Sequence, residues 1–349
     1  MLHYAGLDVS MKTTFVCIVD EKGKVIKEAE VASEGESIGR FLRTTGLKIE
    51  KVGLESGCLT HYLKKDLMTQ GYSVAGMESH KMAAILATII NKTDKNDARG
   101  IAEALRVGHY RECVHRSDKA IETRTVLHGR GTVVKARTHL ITSLKGHLKV
   151  YGIRLGTGTG KTFRKKVECA IAALNTHVQQ VIKSLLNVLD VVEEEIQKLD
   201  KTVKDIGKED ERVKLLQTID GVGPITALAY IAEIDNPLRF EDSKDVGAYI
   251  GLTSTQYSSG ELQRQGGISK RGSKSTRCAL VEAATTLLTR CKKRSKLQAW
   301  GLKLMRKIGT KKAIIAVARK LAVIMHRMLI TMKPFERSTK KKEAKLIAA

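Results

Sequence analysis

The chain has 349 residues, 42% hydrophobic and 28% charged, which suits two or three folded domains with buried cores and excludes a disordered polymer. Its formal net charge is +25, and from Glu261 onward 24 Lys and Arg stand against four acids. Such an excess points to a polyanionic partner, whether nucleic acid, as for a ribosomal or chromatin-like binder, or a membrane surface.

In chain order, His3–Ser10 reads as a strand carrying Asp8 near its end, and Thr13–Val19 as its hairpin partner. Lys24–Val31 alternates after a turn at Gly23, giving a third antiparallel strand. An amphipathic helix follows from Ser37 to Thr45. Then come a short buried strand Lys51–Glu55 with an acid at its end, a helix from Thr60 to Gln70, a strand Tyr72–Gly76 and a helix from Ser79 to Ile90. The stretch Asn91-Lys-Thr-Asp-Lys-Asn-Asp-Ala-Arg99 opens the next helix, which runs to Arg106. The order βββαβαβα is that of the ribonuclease H-like fold.

Within Asn91–Arg99, Asp94 and Asp97 stand three apart, so on a helix they share a face. Each could serve only as a cap or as a first-turn acid favoured by the helix dipole. Side by side they repel unless a cation intervenes, and Lys92, Lys95 and Arg99 flank them. Two further acids fall where the fold would place metal ligands: Asp8 on the first strand and Glu55 at the end of the fourth. Carboxylate oxygens of this kind suit Mg²⁺, which binds through a few carboxylates plus substrate phosphates.

Asp118–Val150 reads as a basic helix with His128, His139 and His147, whose lack of carboxylate neighbours favours a nucleic-acid-facing or solvated surface over a metal site. Gly156-Thr-Gly-Thr-Gly-Lys-Thr162 lacks the first glycine of a phosphate-binding loop, since Leu155 holds that place, and no strand leads into it; a flexible linker is expected. From Ile182 a heptad seam runs through Leu185, Leu189, Val192, Ile196, Leu199, Val203 and Ile206. Pairing between chains in a coiled coil is expected there, with a helical hairpin inside one chain as the alternative. Leu215–Ala227 has the form of a helix-hairpin-helix, in which Gly221 and Gly223 let backbone N–H groups approach a phosphate. Ser258-Ser259-Gly260 followed by Lys270, Arg271, Lys274 and Arg277 joins a hydroxyl to a cluster of cations, although Ser-Ser-Gly is also an ordinary loop. Lys311–Met332 reads as a basic amphipathic helix ending in a Lys/Arg tail.

The six cysteines form no CxxC pair, which argues against a zinc ribbon and predicts buried, reduced thiols. The N-terminus lacks a signal pattern, and no apolar run approaches the roughly 18 residues of a membrane span. A cytoplasmic protein, at the nucleoid when active, is expected.

Together Gly-Leu-Asp8-Val-Ser, Leu-Glu55-Ser, Lys-Thr-Asp94-Lys-Asn-Asp97-Ala, Gly-Val-Gly-Pro and Tyr-Ser-Ser259-Gly with Ile-Ser-Lys-Arg-Gly resemble the DEDD transposases of the insertion-sequence 110 family, the bridge-RNA-guided recombinases. The resemblance covers nearly the whole chain. It implies a RuvC-like ribonuclease H domain (1–150), a linker and coiled-coil helix (151–209), a mostly helical C-terminal transposase domain (210–332) and a basic tail (333–349). It further implies that Asp8, Glu55, Asp94 and Asp97 bind Mg²⁺ and that Ser259, or Ser258 in its place, attacks DNA to give a phosphoserine intermediate. Donor and target DNA, a structured guide RNA and a homo-oligomer, dimer or tetramer, are the implied partners. Ser254 and Glu261 depart from the family's usual proline and glycine. The competing expectations are a metal-dependent nuclease such as a junction resolvase, which has no use for Ser259, and a nucleic-acid binder without catalysis.

Overall fold

The computed structural model describes residues 1–87, 91–156, 158, 160–259, 262–292 and 295–336. The chain divides into two units, Met1–Arg116 and Ser117–Ala349.

The first unit contains β1 (His3–Val9), β2 (Thr13–Asp20), β3 (Val25–Ala32), α1 (Gly35–Thr44), β4 (Ile49–Glu55), α2 (Thr60–Thr69), β5 (Val74–Met77), α3 (Ser79–Leu86) and α4 (Asp94–Arg106). The strands form one sheet in the order β3-β2-β1-β4-β5. β1, β2 and β3 pair antiparallel, whereas β4 runs parallel to both β1 and β5. The element order expected from the sequence is thus present, with α3 ending before Ile90, which lies outside the described residues. The parallel strands are short apolar runs covered by helices, as buried parallel strands require. One face packs Ala5, Leu7, Val52 and Leu54 against Ile38 and Leu42 of α1 and Leu63 and Leu67 of α2. The other face is closed by α4, through Ala98, Ile101, Ala102 and Leu105.

Gly6 sets the closeness of that second layer. A Cβ there would overlap the carbonyl oxygen of Ala98 and the amide nitrogen of Ala102, so α4 lies backbone against backbone on β1. The far end of α4 is held by Arg106, whose Nη1 donates to the Glu21 carbonyl at 2.9 Å, beside the start of β1. α4 therefore runs antiparallel to β1, and its N-terminus rises over the C-terminal end of that strand.

The second unit contains α5 (Asp118–Lys149), α6 (Gly160–Ile171), α7 (Thr176–Glu209), α8 (Glu211–Leu216), α9 (Pro224–Ile234), α10 (Asp245–Tyr249), the hairpin β6 (Ser254–Ser259) and β7 (Leu262–Ile268), then α11 (Lys274–Thr289), α12 (Lys296–Ile308) and α13 (Thr310–Thr331). α5, assigned to the first domain on sequence grounds, belongs to this unit. The basic tail from 337 onward lies outside the described residues.

The heptad seam of α7 is partly filled from within the chain, while Leu185, Val192, Leu199 and Ile206 stay half-buried. Ile182, Leu186 and Leu189 pack against Leu144 and Leu148 of α5 and Phe163, Val167 and Ile171 of α6. Ile196 and Val203 are buried as well. What α7 leaves exposed is a different stripe, Val181, Val188 and Val191. The glycine-rich segment before α6 therefore leads into a packed helix. No helix among the described residues is long and apolar enough to cross a membrane.

Gly221 is explained by packing. At φ +91 its missing side chain leaves room for the backbone of Ala283 and Leu287 on α11. Gly223 is the N-cap of α9, with Pro224 in the first turn, and its Cα faces open space. The cysteines differ from expectation: all six are free, but Cys58, Cys169 and Cys278 are exposed and only Cys17 is buried. None of the exposed three belongs to a core strand, whereas Cys17 does.

Candidate active site

The acids converge because of strand register. β1 and β4 are adjacent parallel strands in which Leu7 pairs with Leu54. Asp8 and Glu55, each one residue further on, stand side by side where the two strands end. α4 then contributes its first turn. Thr93 caps it by accepting from the Asn96 amide at 3.2 Å, Asp94 opens the helix in an exposed position, and Asp97 is buried one turn later.

The chain after each strand end is tied down. Ser33 Oγ donates to the Ser10 carbonyl at 2.7 Å and contacts Thr14 Oγ1 at 2.8 Å. Thr60 Oγ1 donates to the Glu55 carbonyl at 3.0 Å, and Ser79 Oγ donates to the Ser56 carbonyl at 2.7 Å. The acids therefore sit on a rigid frame.

The electrostatics identify Asp8 as the centre of the group. Burial first, and then the negative charges of Asp94, Asp97 and Glu55, push its carboxyl from 3.8 up to about 6, opposed by Lys92. Two cations expected to flank the acids are engaged elsewhere. Lys95 Nζ pairs with Glu28 Oε2 at 3.0 Å, and Arg99 Nη2 donates to the same oxygen at 3.0 Å. Glu28 on β3, which no motif singled out, thus withdraws positive charge and leaves the four acids under-compensated. Its own carboxyl is held below the usual range by the Arg99 hydrogen bond.

A group of carboxylates with one facing lysine is a donor set suited to a hard divalent cation. The side chains are neighbours and not a finished cage: among the described residues no three His, Cys, Asp or Glu side chains are drawn together closely enough to hold a metal ion as they stand. A cation would have to draw them together.

The candidate serines lie in the second unit, on a hairpin the sequence did not predict. Ser259 is the last residue of β6 and pairs with Leu262, and residues 260–261 lie outside the described residues. Strand alternation puts Ser258 and Ser259 on opposite faces, and both are exposed. Ser258 Oγ accepts from Gln256 Nε2 at 3.1 Å, whereas Ser259 Oγ has no partner among the described residues. Tyr257 lies on the Ser259 face, and Arg264 opposite it brings a cation to that face. Only the pairing register reveals Arg264.

The cations following the hairpin separate into two roles. Lys270, Arg271 and Lys274 are exposed. Arg277, expected to meet nucleic acid, is instead buried: its Nη1 donates to the carbonyls of Ile250 at 2.8 Å and Arg271 at 2.9 Å. Those two residues flank the two feet of the β6–β7 hairpin. Gly251 and Gly272, both at positive φ, let the feet close on each other, because a Cβ on either would overlap the opposite backbone.

Among known proteins, a family model described as "Transposase IS116/IS110/IS902 family" matches residues 213–299, and a model for DEDD transposases of IS110 matches residues 5–153. The transposase for insertion sequence element IS1111A of Coxiella burnetii is 29% identical over 330 residues, covering 93% of this chain and 88% of its own. A probable family 20 transposase of Pseudomonas aeruginosa is 25% identical over 80% of this chain and 83% of its own. Among solved structures, T. thermophilus RuvC in complex with a Holliday junction substrate covers 32% of this chain and 100% of its own at 11% identity, with a TM-score of 0.26, a likeness that decides nothing about the fold.

Proposed function

Because this chain belongs to the IS110 family of transposases, we propose that it cuts and rejoins DNA strands to move an insertion sequence. The observation that carries this reading is the Asp8 group: four acids at the ends of two parallel strands and one helix, with Lys92 beside them.

Asp8, Glu55, Asp94 and Asp97 would hold Mg²⁺, which when bound polarises phosphodiester oxygens and stabilises charge at the reacting phosphorus. The rigid sheet keeps Asp8 and Glu55 fixed, and the α4 first turn brings the other two acids to them. Ser259 is the nucleophile. Its oxygen forms a bond to phosphorus as the bond to the 3′-oxygen breaks, and the proton it loses goes to a base outside its own hairpin. The departing 3′-oxygen is protonated, and rejoining reverses each transfer. Ser258, turned to the opposite face and engaged with Gln256, is the weaker candidate.

Lys270, Arg271, Lys274 and the α9 N-terminus at Gly223 serve the phosphate backbone. Sequence choice is left to base pairing with a structured guide RNA, as suits a chain rich in backbone-binding cations. Assembly of two or four copies would use the exposed Val181, Val188 and Val191 stripe of α7, since much of the seam is already filled.

The test is a supercoiled-plasmid assay with Mg²⁺ and RNA transcribed from the flank of the element, resolved on denaturing gels before and after proteinase. A protein–DNA adduct that disappears in Ser259→Ala supports the reading. Nicks without adduct that persist in Ser259→Ala and vanish in Asp8→Ala would leave a metal-dependent nuclease instead.

A further inference from the structure

The chain has a single tryptophan, Trp300, and it sits on the outer side of α12 with 42% of its surface exposed. Its outward setting is fixed. Leu297, Gln298 and Gly301 form the inward side of the helix, all buried. Gln298 Nε2 donates to the carbonyls of Leu287 and Cys291, each at 2.9 Å, which locks the rotation of α12 about its axis. At Gly301 a Cβ would run into Leu288 of α11 and Val317 of α13, so the helix is seated tightly with Trp300 facing away.

The charge around it is of one sign. Between residues 283 and 335 the sequence contains no acid. Lys303 and Lys307 stand three and seven residues after Trp300, on the same side of the helix. Neither these nor Arg306 has an ion-pair partner among the described residues, and all three are exposed. Past the bend at Gly309, Lys311 and Lys312 occupy the first turn of α13, which has no acid and no side-chain cap. Cations are disfavoured at that end of a helix dipole, so their placement works against folding and favours a polyanion laid along the bend.

We propose that Trp300 and this lysine row form a binding site for single-stranded nucleic acid, in which an unpaired base stacks on the indole while Lys303, Arg306, Lys307, Lys311 and Lys312 follow the phosphates. The exposed ring selects unpaired bases, since in a duplex the base faces are already covered by their neighbours. A DNA single strand and an RNA single strand present the same chemistry. The inference goes beyond the cleavage reaction and depends on neither Ser259 nor the acids.

The sole tryptophan is its own reporter. The full-length protein is titrated with dT20, with rU20 and with a fully paired, covalently closed circular duplex, following indole emission and the anisotropy of the labelled nucleic acid in parallel. Emission is expected to be quenched by one or both single strands and unaffected by the duplex, and the ratio of the two affinities identifies the preferred strand. Trp300→Ala should weaken single-strand binding about 10-fold without changing duplex binding, while Trp300→Phe recovers most of it. Lys303→Glu/Lys307→Glu should flatten the salt dependence.

The proposal is overturned if emission stays constant while anisotropy reports saturation, or if Trp300→Ala binds dT20 and rU20 like the parent. A blue shift with phosphatidylglycerol vesicles and none with either oligonucleotide would assign the face to a membrane and likewise overturn it. If plasmid cleavage fails while quenching holds, the catalytic reading falls and this one stands.

Discussion

Asp8→Asn should make the protein more stable at neutral pH while removing its cleavage activity. In the folded chain the Asp8 carboxyl titrates near 6 and in the unfolded chain near 3.8, so the folded state prefers the protonated form. Above pH 6 the ionised carboxylate is therefore a cost to folding, and below 3.8 that cost is absent. The raw difference of about two pH units corresponds to about 3 kcal/mol. Because Asp8 is only half-buried, solvent screening reduces this to about 1–1.5 kcal/mol.

Thermal unfolding of both proteins from pH 3.5 to 8, without divalent ions, measures it. The advantage of the variant should be nil below pH 4, grow between about 4 and 6, and stay level above, reaching ~4 °C in Tm. Mg²⁺ at ten times its Kd should raise the parent by about 1.4 kcal/mol and leave the variant unmoved. A variant equal to or less stable than the parent at pH 8 would refute the claim that Asp8 sits among under-compensated negative charge.

Three further substitutions probe the frame. Gly6→Ala forces α4 off β1, so an overpacking loss of about 1–3 kcal/mol in thermal melts is expected, with cleavage falling further as Asp94 and Asp97 move from Asp8. Arg277→Ala frees the feet of the Ser259 hairpin and takes the donor from the buried Ile250 carbonyl and the part-buried Arg271 carbonyl, at a cost of about 1–3 kcal/mol. Limited proteolysis should then cut within 250–272, where the parent resists. Arg124→Ala takes a charged partner from the buried Glu233, which it pairs across α5 and α9, and should cost about 1–3 kcal/mol by denaturant unfolding, whereas Arg124→Ala/Glu233→Gln should recover part of that loss.

Much of the first unit was legible because it is written in local patterns. A hairpin pattern marked β1 and β2, alternation marked β3, a short buried run marked β4, and the i, i+3 spacing put Asp94 and Asp97 on one helical face. Those signals need only neighbours in sequence. The heptad periodicity likewise placed α7, and of its seam Ile182, Leu189, Ile196 and Val203 are buried while Leu185, Val192, Leu199 and Ile206 are half-buried. Periodicity states that a face is covered and is silent about what covers it. Here α5 and α6 cover its first half and α8 and α9 cover Val203, all from the same chain.

What tertiary structure alone decided is where charge is spent. Lys95 and Arg99 read as counter-ions to the acids beside them, yet Glu28, about 70 residues earlier in sequence, takes both. Arg277 read as one more surface cation in a basic run, but it closes the base of a hairpin. Gly221 read as a phosphate-binding glycine, and it makes room for α11. Each side chain chose its partner across distances that sequence spacing does not encode. A buried polar group must find compensation wherever the packed fold supplies it, and that requirement, imposed only once the helices and strands have come together, left Asp8 with acids around it while Lys95 and Arg99 turned to Glu28.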